Sequence, residues 1–210
     1  MKLLLLLGEG MIVTVQLFLL TLIFALPLGL VISFGRRSKN FIINGLTGLY
    51  ISIMRGTPLM LQLVAVYFGP YYLFEGKIDR FTAAIIAFSL NYAAYFAEIF
   101  RGGIESITKG QYEAGEVLGF TKSQVFFKII LPQVVKRILP AVSNEVITLV
   151  KDTALATAIG VSEMFRAANN EMSRIASIQP LVVAGVFYYI MNLMVAKAFS
   201  FAEKKLSYYK

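Results

Sequence analysis

Long apolar runs alternate with short charged stretches along the chain, and the runs set the frame. A hydrocarbon core of about 30 Å takes roughly 20 apolar residues per helix, and the segments 11–34, 41–74, 81–100, 138–161 and 181–201 approach that length. The second is too long for one crossing and is interrupted at RGTP, where Thr57 is placed to cap a helix that Pro58 begins. Residues 41–54 then read as an interfacial elbow, and Gly69-Pro70 is expected to kink the outer end of the crossing. The third run carries Ala83, Ala84, Ala87, Ala93, Ala94 and Ala97, small residues that let helices approach closely where apolar contact gives no drive. In the fourth, Asn144, Glu145, Lys151 and Asp152 dilute the apolar pattern. Either Lys151 and Asp152 mark an aqueous end, or the helix breaks at mid-depth beside a cavity, and the second reading is preferred.

Between the third and fourth runs the pattern changes. Thr108 with Gln111, and Thr121 with Gln124, are two T-x-x-Q capping boxes, and Gly119 stands where a glycine ends a helix and turns the chain. Two short helices joined at a sharp bend follow, each too short to persist alone in water. Val117, Leu118, Phe120, Val125, Phe126 and Phe127 supply apolar surface, with Glu113, Glu116, Lys122 and Lys128 beside it. Physics alone divides evenly between an interfacial hairpin that covers the bundle and an element that docks a partner.

Composition narrows the class. The chain is 58% hydrophobic and 15% charged, against about 25% charged in soluble domains, so a membrane protein is expected. The opening MKLLLLLGEG lacks a small-residue cleavage site before the first long run and reads as a retained anchor. Cysteine and histidine are absent, which removes disulfides, thiolate nucleophiles, imidazole bases and the commonest zinc ligands. No catalytic or metal site is expected. The net charge of +8 is better explained by topology than by nucleic acid. Arg36, Arg37 and Lys39, the six basic residues within 101–137, and Lys197, Lys204, Lys205 and Lys210 lie on one side; Lys2, Lys77, Arg80, Arg166 and Arg174 lie on the other. Thirteen against five predicts an all-α integral membrane protein of five transmembrane helices, N-terminus out and C-terminus in. Residues 1–210 form a single domain, with a cytoplasmic loop at about 102–132. No internal repeat is visible, which weighs against a secondary transporter built from inverted halves.

Glu113-Ala114-Gly115, three residues, Gly119, nine residues, then Ile129-x-Leu131-Pro132 resembles the EAA loop of permease subunits of ATP-binding-cassette importers, with glycine at the usual third alanine. RGTPLMLQL (55–63), AEIFRGGIESITKGQYEAG (97–115), LPQVVKRILPA (131–141) and KDTALATAIGVSE (151–163) resemble the polar amino-acid branch of that family, and the likeness runs over about residues 10–205. The resemblance implies a coupling helix, carried by Glu113, Ala114, Gly115, Gly119 and Phe120, seated in a groove of a separate ATPase subunit that binds ATP and magnesium. The chain has no G-x-x-x-x-G-K-[ST] loop, so it is not expected to be an enzyme itself. Further implied partners are a second permease copy, as a homodimer or with a different chain as a heterodimer, an extracellular or periplasmic amino-acid-binding protein, and membrane lipid. A multi-pass place in the cell membrane of a prokaryote is implied. The rival readings are a gradient-driven carrier and a scaffold that recruits an ATPase without transport.

Candidate substrate residues are the polar groups within the runs. Glu98 either holds a cationic group or pairs with Arg101 three residues on. Asp152 and Thr153, at the suspected break, either grip an amino group or cap a helix end. Asn91 faces inward for a ligand or for a helix-to-helix hydrogen bond. Glu163 is a docking contact, a gate or a ligand contact on the outer side. Arg55 reads as structural or gating, Glu145 as solvent-facing or paired with Arg137, and Tyr67, Phe68, Tyr71 and Tyr72 as an interfacial aromatic belt. The number of acids mildly favours a cationic cargo.

Overall fold

The structure, a computed structural model, describes residues 2–206, so Lys210 of the inner-side charge set lies outside them. Among the described residues there are helices and no strands. α1 (Lys2–Arg36) begins nine residues before the apolar run that announced it. Its 35 residues make a rod of about 52 Å at 1.5 Å per residue. α1 packs along α4 (Arg80–Glu105), and this is the main helix pair of the fold. The small residues explain the closeness: a Cβ on Gly29 would lie 2.9 Å from Phe96 Cβ and 3.0 Å from the Ala93 carbonyl oxygen. Ala83, Ala84, Ala87, Ala93, Ala94 and Ala97 are all buried, as the alanine pattern requires.

α2 (Phe41–Gly56) and α3 (Leu59–Phe74) meet at RGTP with a bend of 109°. The elbow is where the sequence places it, but its chemistry differs. Thr57 closes α2 instead of capping α3: its hydroxyl donates to the Ile53 carbonyl, the acceptor one turn back, at 2.8 Å. Pro58 holds the N-cap position of α3 with no side-chain hydrogen bond. Pro70 sits inside α3, which continues to Phe74 and ends at Glu75 in the left-handed conformation.

The loop between the third and fourth runs also departs from expectation. α5 (Lys109–Val117) starts at Thr108, whose side chain makes no capping bond, so the first capping box does not form; Gln111 accepts instead from Gln133 at 3.0 Å. The second box, Thr121 with Gln124, is complete. It opens one continuous helical rod rather than a separate short helix: α6 (Lys122–Gln124), a π-helical turn (Val125–Ile130) and α7 (Leu131–Asp152) follow without interruption. The wide turn lies immediately before Pro132, which cannot donate to the Lys128 carbonyl and whose ring would crowd that oxygen. The arm turns at Gly119, which is left-handed.

At the far end α7 gives way to a 3-10 stretch (Thr153–Ile159) and Gly160 in the left-handed region, φ 83°. The break falls at Asp152–Thr153, as the polar residues foretold. α8 (Met164–Ile175) is amphipathic, and α9 (Gln179–Lys205) returns to the loop end. Leu3–Arg36, Arg80–Glu105 and Gln179–Lys205 are long and apolar enough to cross a membrane, and the bent pair α2–α3 is a fourth candidate. α7 is not among them.

Candidate functional site

The arm at the loop end is built from α5 folded back on the start of the α6–α7 rod. Gly119, φ 77°, ends α5 in a Schellman turn: the Phe120 amide donates to the Gly115 carbonyl at 3.1 Å and the Gly119 amide to the Glu116 carbonyl at 3.0 Å. Gly115 is buried against the rod, where a Cβ would lie 2.7 Å from Val125 Cγ2 and 3.1 Å from Ile129 Cδ1. The departure from alanine at this position is therefore matched by a branched side chain facing it. Ile104, Ile107, Val125, Ile130 and Val134 form a small core of their own under the arm. Arg137 binds the Ser106 carbonyl, and Gln133 reaches both Gln111 and the Ile129 carbonyl. The arm is thus tied to α4 and α7 on its inner side. Its outer side is open: Glu113, Ala114 and Glu116 are exposed, Val117 is 87% and Leu118 71% exposed, and Phe120 and Phe127 contribute further apolar surface. Among the described residues nothing covers this apolar tip rimmed by carboxylates, which is the mark of an interaction surface.

The polar groups inside the helical body are mostly engaged. Asn91, buried, donates its amide to the Met54 carbonyl and to Gln62 Oε1, both at 3.0 Å. Gln62 in turn donates to the Met54 and Thr57 carbonyls and to the Thr57 hydroxyl. The RGTP elbow is therefore pinned to α4 by an amide pair, of which the sequence nominated one half. Arg55, at the same elbow, lies with its guanidinium carbon 5.2 Å from the centre of the Tyr95 ring. Glu98 is held by Arg101 through two contacts, 3.0 and 2.7 Å, and Arg101 also meets Glu105. Glu145 does not pair with Arg137, which is spent on Ser106; the charge nearest in effect to Glu145 is Arg55.

At the break, Asp152 is half-buried and accepts a 2.7 Å hydrogen bond from the Tyr92 hydroxyl. Thr153 is buried and donates to the Val150 carbonyl. Glu163 is wholly buried, at 0% exposure, and caps α8: its carboxylate accepts from the Phe165 and Arg166 amides at 2.6 and 2.7 Å and from the Tyr188 hydroxyl at 3.0 Å. Nearby, the Met164 amide donates to Thr14, and a Cβ on Gly10 would lie 2.7 Å from Met164 Cα, so α1 and α8 touch backbone to backbone. Glu163 has no surface from which to meet an external protein.

Tyr92, Tyr95 and Gln62 are the functional candidates that sequence reasoning missed. Part of the signal was present in NYAAYFAE: Asn91, Tyr95 and Glu98 follow one another at i, i+4 and i+7 on one face of the helix.

The chain matches the family described as binding-protein-dependent transport system inner membrane component over residues 25–207. It is 40% identical over 199 residues to the arginine transport system permease protein ArtQ of Bacillus subtilis (strain 168), covering 94% of this chain and 91% of that protein. It is 37% identical over 206 residues to the L-cystine transport system permease protein TcyB of the same organism, covering 97% of this chain and 87% of that protein. Among solved structures, the crystal structure of an amino acid ABC transporter with histidines matches with a TM-score of 0.87 at 34% identity, covering 95% of this chain and 94% of that chain.

Proposed function

The chain belongs to the binding-protein-dependent inner membrane transport components, and on that premise we propose that it is the permease subunit of an ATP-driven importer of polar amino acids, with basic ones preferred. The observation that carries the reading is the arm: a rigid, glycine-turned lever tied to α4 and α7 on one side, with an unpartnered apolar and acidic tip on the other. Its place in the chain coincides with the EAA-like motif. Glu113, Ala114, Gly115, Gly119 and Phe120 seat it against a separate ATPase subunit, which binds ATP and magnesium. The names of the arginine and cystine permeases support an amino-acid cargo, and the carboxylates near the path support a cationic one.

In this reading α1, α3, α4, α7 with its 3-10 extension, and α9 are the five crossings of one permease domain, 1–210, in the inner or plasma membrane of a prokaryote. The arm faces the cytoplasm, and the excess of basic residues on its side supports that orientation. Two permease chains enclose the path, a self-pair being the simpler arrangement and a heterodimer the alternative, and an extracellular or periplasmic binding protein delivers cargo. Asp152 and Thr153, at the break in α7, take the substrate's cationic group once the Tyr92 hydroxyl that occupies Asp152 is displaced. Asn91, Glu98 and Glu163 frame the path through the bonds described above. Closing of the motor pushes the arm, and the α6–α7 rod carries that displacement to the break without an intervening joint.

The experiment is reconstitution in proteoliposomes with the ATPase and binding protein. The expected result is ATP-dependent accumulation of labelled lysine or arginine. Accumulation without ATP would make the chain a gradient-driven carrier, and ATPase recruitment without accumulation would make it a scaffold.

A further inference from the structure

Two guanidiniums converge at the end of the molecule opposite the arm. A Cβ on Gly160 would lie 3.0 Å from Arg166 Nη1 and 3.2 Å from both Cζ and Nη1 of Arg80. The two positive groups therefore share one small space, above a residue that carries no side chain and whose φ of 83° suits glycine. Like charges so placed repel unless something negative lies between them. Among the described residues neither arginine has an ion pair. Arg80 donates from Nε to the Tyr67 hydroxyl at 3.4 Å, and Arg166 from Nη1 to the Thr157 carbonyl at 3.3 Å, both long bonds that leave most of their several N–H donors free. The two nearby carboxylates are committed elsewhere: Glu163, which feels the charge of Arg166, is buried and caps α8, and Asp79 caps α4 by accepting from the Phe81 and Thr82 amides, the Thr82 hydrogen bonds holding its carboxyl below the usual range. Asp79, Arg80, Gly160, Ser162 and Gln16 line a cleft of about 620 Å³. With Arg166 added, its ionised groups sum to a net positive charge.

We infer that Arg80 and Arg166 form a carboxylate-binding site over Gly160 at the outer mouth, which takes the α-carboxylate of an amino-acid cargo before it reaches the break in α7. The inference rests on the function proposed above. A carboxylate fits the geometry because planar guanidiniums present paired donors to its two oxygens. The site is an open cleft floored by the Gly160 backbone, which a small molecule can reach from outside. It reads the group common to all amino acids, while discrimination by side chain is left to Asp152 deeper in the path.

The chain's lack of cysteine provides the test. Ser162→Cys, on the exposed side of the cleft, is labelled with an environment-sensitive fluorophore in the permease assembled with its ATPase in lipid nanodiscs, and titrated with L-lysine, L-glutamine and lysinamide. Both amino acids should give a saturable signal, and lysinamide one at least tenfold weaker. Arg80→Gln and Arg166→Gln should each weaken the response to L-lysine by about tenfold, and Arg80→Lys should recover part of it. Equal responses to lysine and lysinamide, no saturable response, or a response only to added binding protein would each overturn the inference. ATP-driven uptake by the same labelled permease in proteoliposomes separates the two failures: uptake without the expected titration sinks the carboxylate site alone, whereas loss of uptake with the parent chain sinks the importer reading.

Discussion

Gly119→Val isolates the turn of the arm. No heavy atom lies within 4 Å of where its Cβ would stand, and its φ is 77°, so the substitution meets backbone strain and no clash. Holding an L-residue in the left-handed region costs roughly 1–2 kcal/mol, with β-branched residues at the upper end. If the chain escapes that region instead, the Phe120 to Gly115 and Gly119 to Glu116 hydrogen bonds are lost, at about 1 kcal/mol each. Either way the loss is small beside the roughly 5–15 kcal/mol that holds a domain together, so the variant still folds and inserts. The correctly angled arm, however, falls in population by about 5–30-fold relative to its competitors. Gly119→Asn retains the turn, because asparagine tolerates this conformation. The assay is labelled lysine accumulated per ATP hydrolysed, in proteoliposomes with matched amounts of inserted permease. The valine variant should lose most of this ratio and the asparagine variant little. Equal ratios for valine and parent, or equal loss for asparagine and valine, would refute the reasoning.

Gly115→Ala gains about 1 kcal/mol of helix propensity but sets a methyl 2.7 Å from Val125 Cγ2, and overpacking against a side chain stiff at χ1 costs about 1–3 kcal/mol. The detergent-solubilised variant should melt at or below the parental temperature, and Val125→Ala in the same chain should restore it; a higher melting point for Gly115→Ala alone would contradict the close packing. Asn91→Leu takes the Asn91 donor from Gln62 Oε1 and leaves the Met54 carbonyl with the Gln62 donor, a loss of about 1–3 kcal/mol, and combined with Gln62→Leu the cost should be less than the sum, as a double-mutant cycle of melting curves would reveal. Asp152→Asn should raise by at least tenfold the lysine concentration needed to compete for uptake while leaving glutamine within about twofold; equal effects on both cargoes would remove Asp152 from side-chain recognition. Glu98→Gln, which breaks a partly exposed pair with Arg101, should cost at most about 1 kcal/mol of stability and leave lysine uptake within about twofold, whereas abolished uptake in a stable variant would return Glu98 to the substrate site.

What the sequence made legible was what local chemistry dictates. The alanine face of α4, the Thr121–Gln124 box, the left-handed Gly119 and the break at Asp152–Thr153 each follow from one or a few neighbouring residues, and each is present. The failures share a different cause. Thr108 has the same T-x-x-Q spacing as Thr121, yet Gln111 is drawn to Gln133, 22 residues on, and a distant competitor leaves no trace in a local motif. Thr57 was read forward, as a cap, when the carbonyl one turn behind was the better acceptor. For the polar groups within the runs, spacing could nominate Asn91, Glu98, Asp152 and Glu163 but could not distinguish a partner on another helix from a ligand.

The partners themselves assign α4 a role that no single residue suggests. Asn91 and Tyr95 hold the α2–α3 elbow through Met54, Gln62 and Arg55, while Tyr92, on the adjoining face, holds the broken end of α7 through Asp152. Near the other end of α4, Gly103 meets α7 so closely that a Cβ would overlap Ile138 Cγ2 at 2.1 Å. In the proposed function, motion of the arm enters α7 at this tight contact and reaches the Tyr92–Asp152 hydrogen bond, which stands beside the buried cluster of Phe88, Tyr92 and Phe96 with Val146, Leu149 and Val150. The Tyr92 to Asp152 hydrogen bond lies at the residue proposed to bind cargo. If the arm and Asp152 act as proposed, a displacement that opens that bond frees a carboxylate in the interior, and force on the arm and affinity for a cationic group become coupled through one tyrosine hydroxyl. Tyr92→Phe, which removes the hydroxyl and keeps the ring, should therefore raise lysine binding in the absence of ATP and lower the transport ratio; unchanged binding would break that coupling.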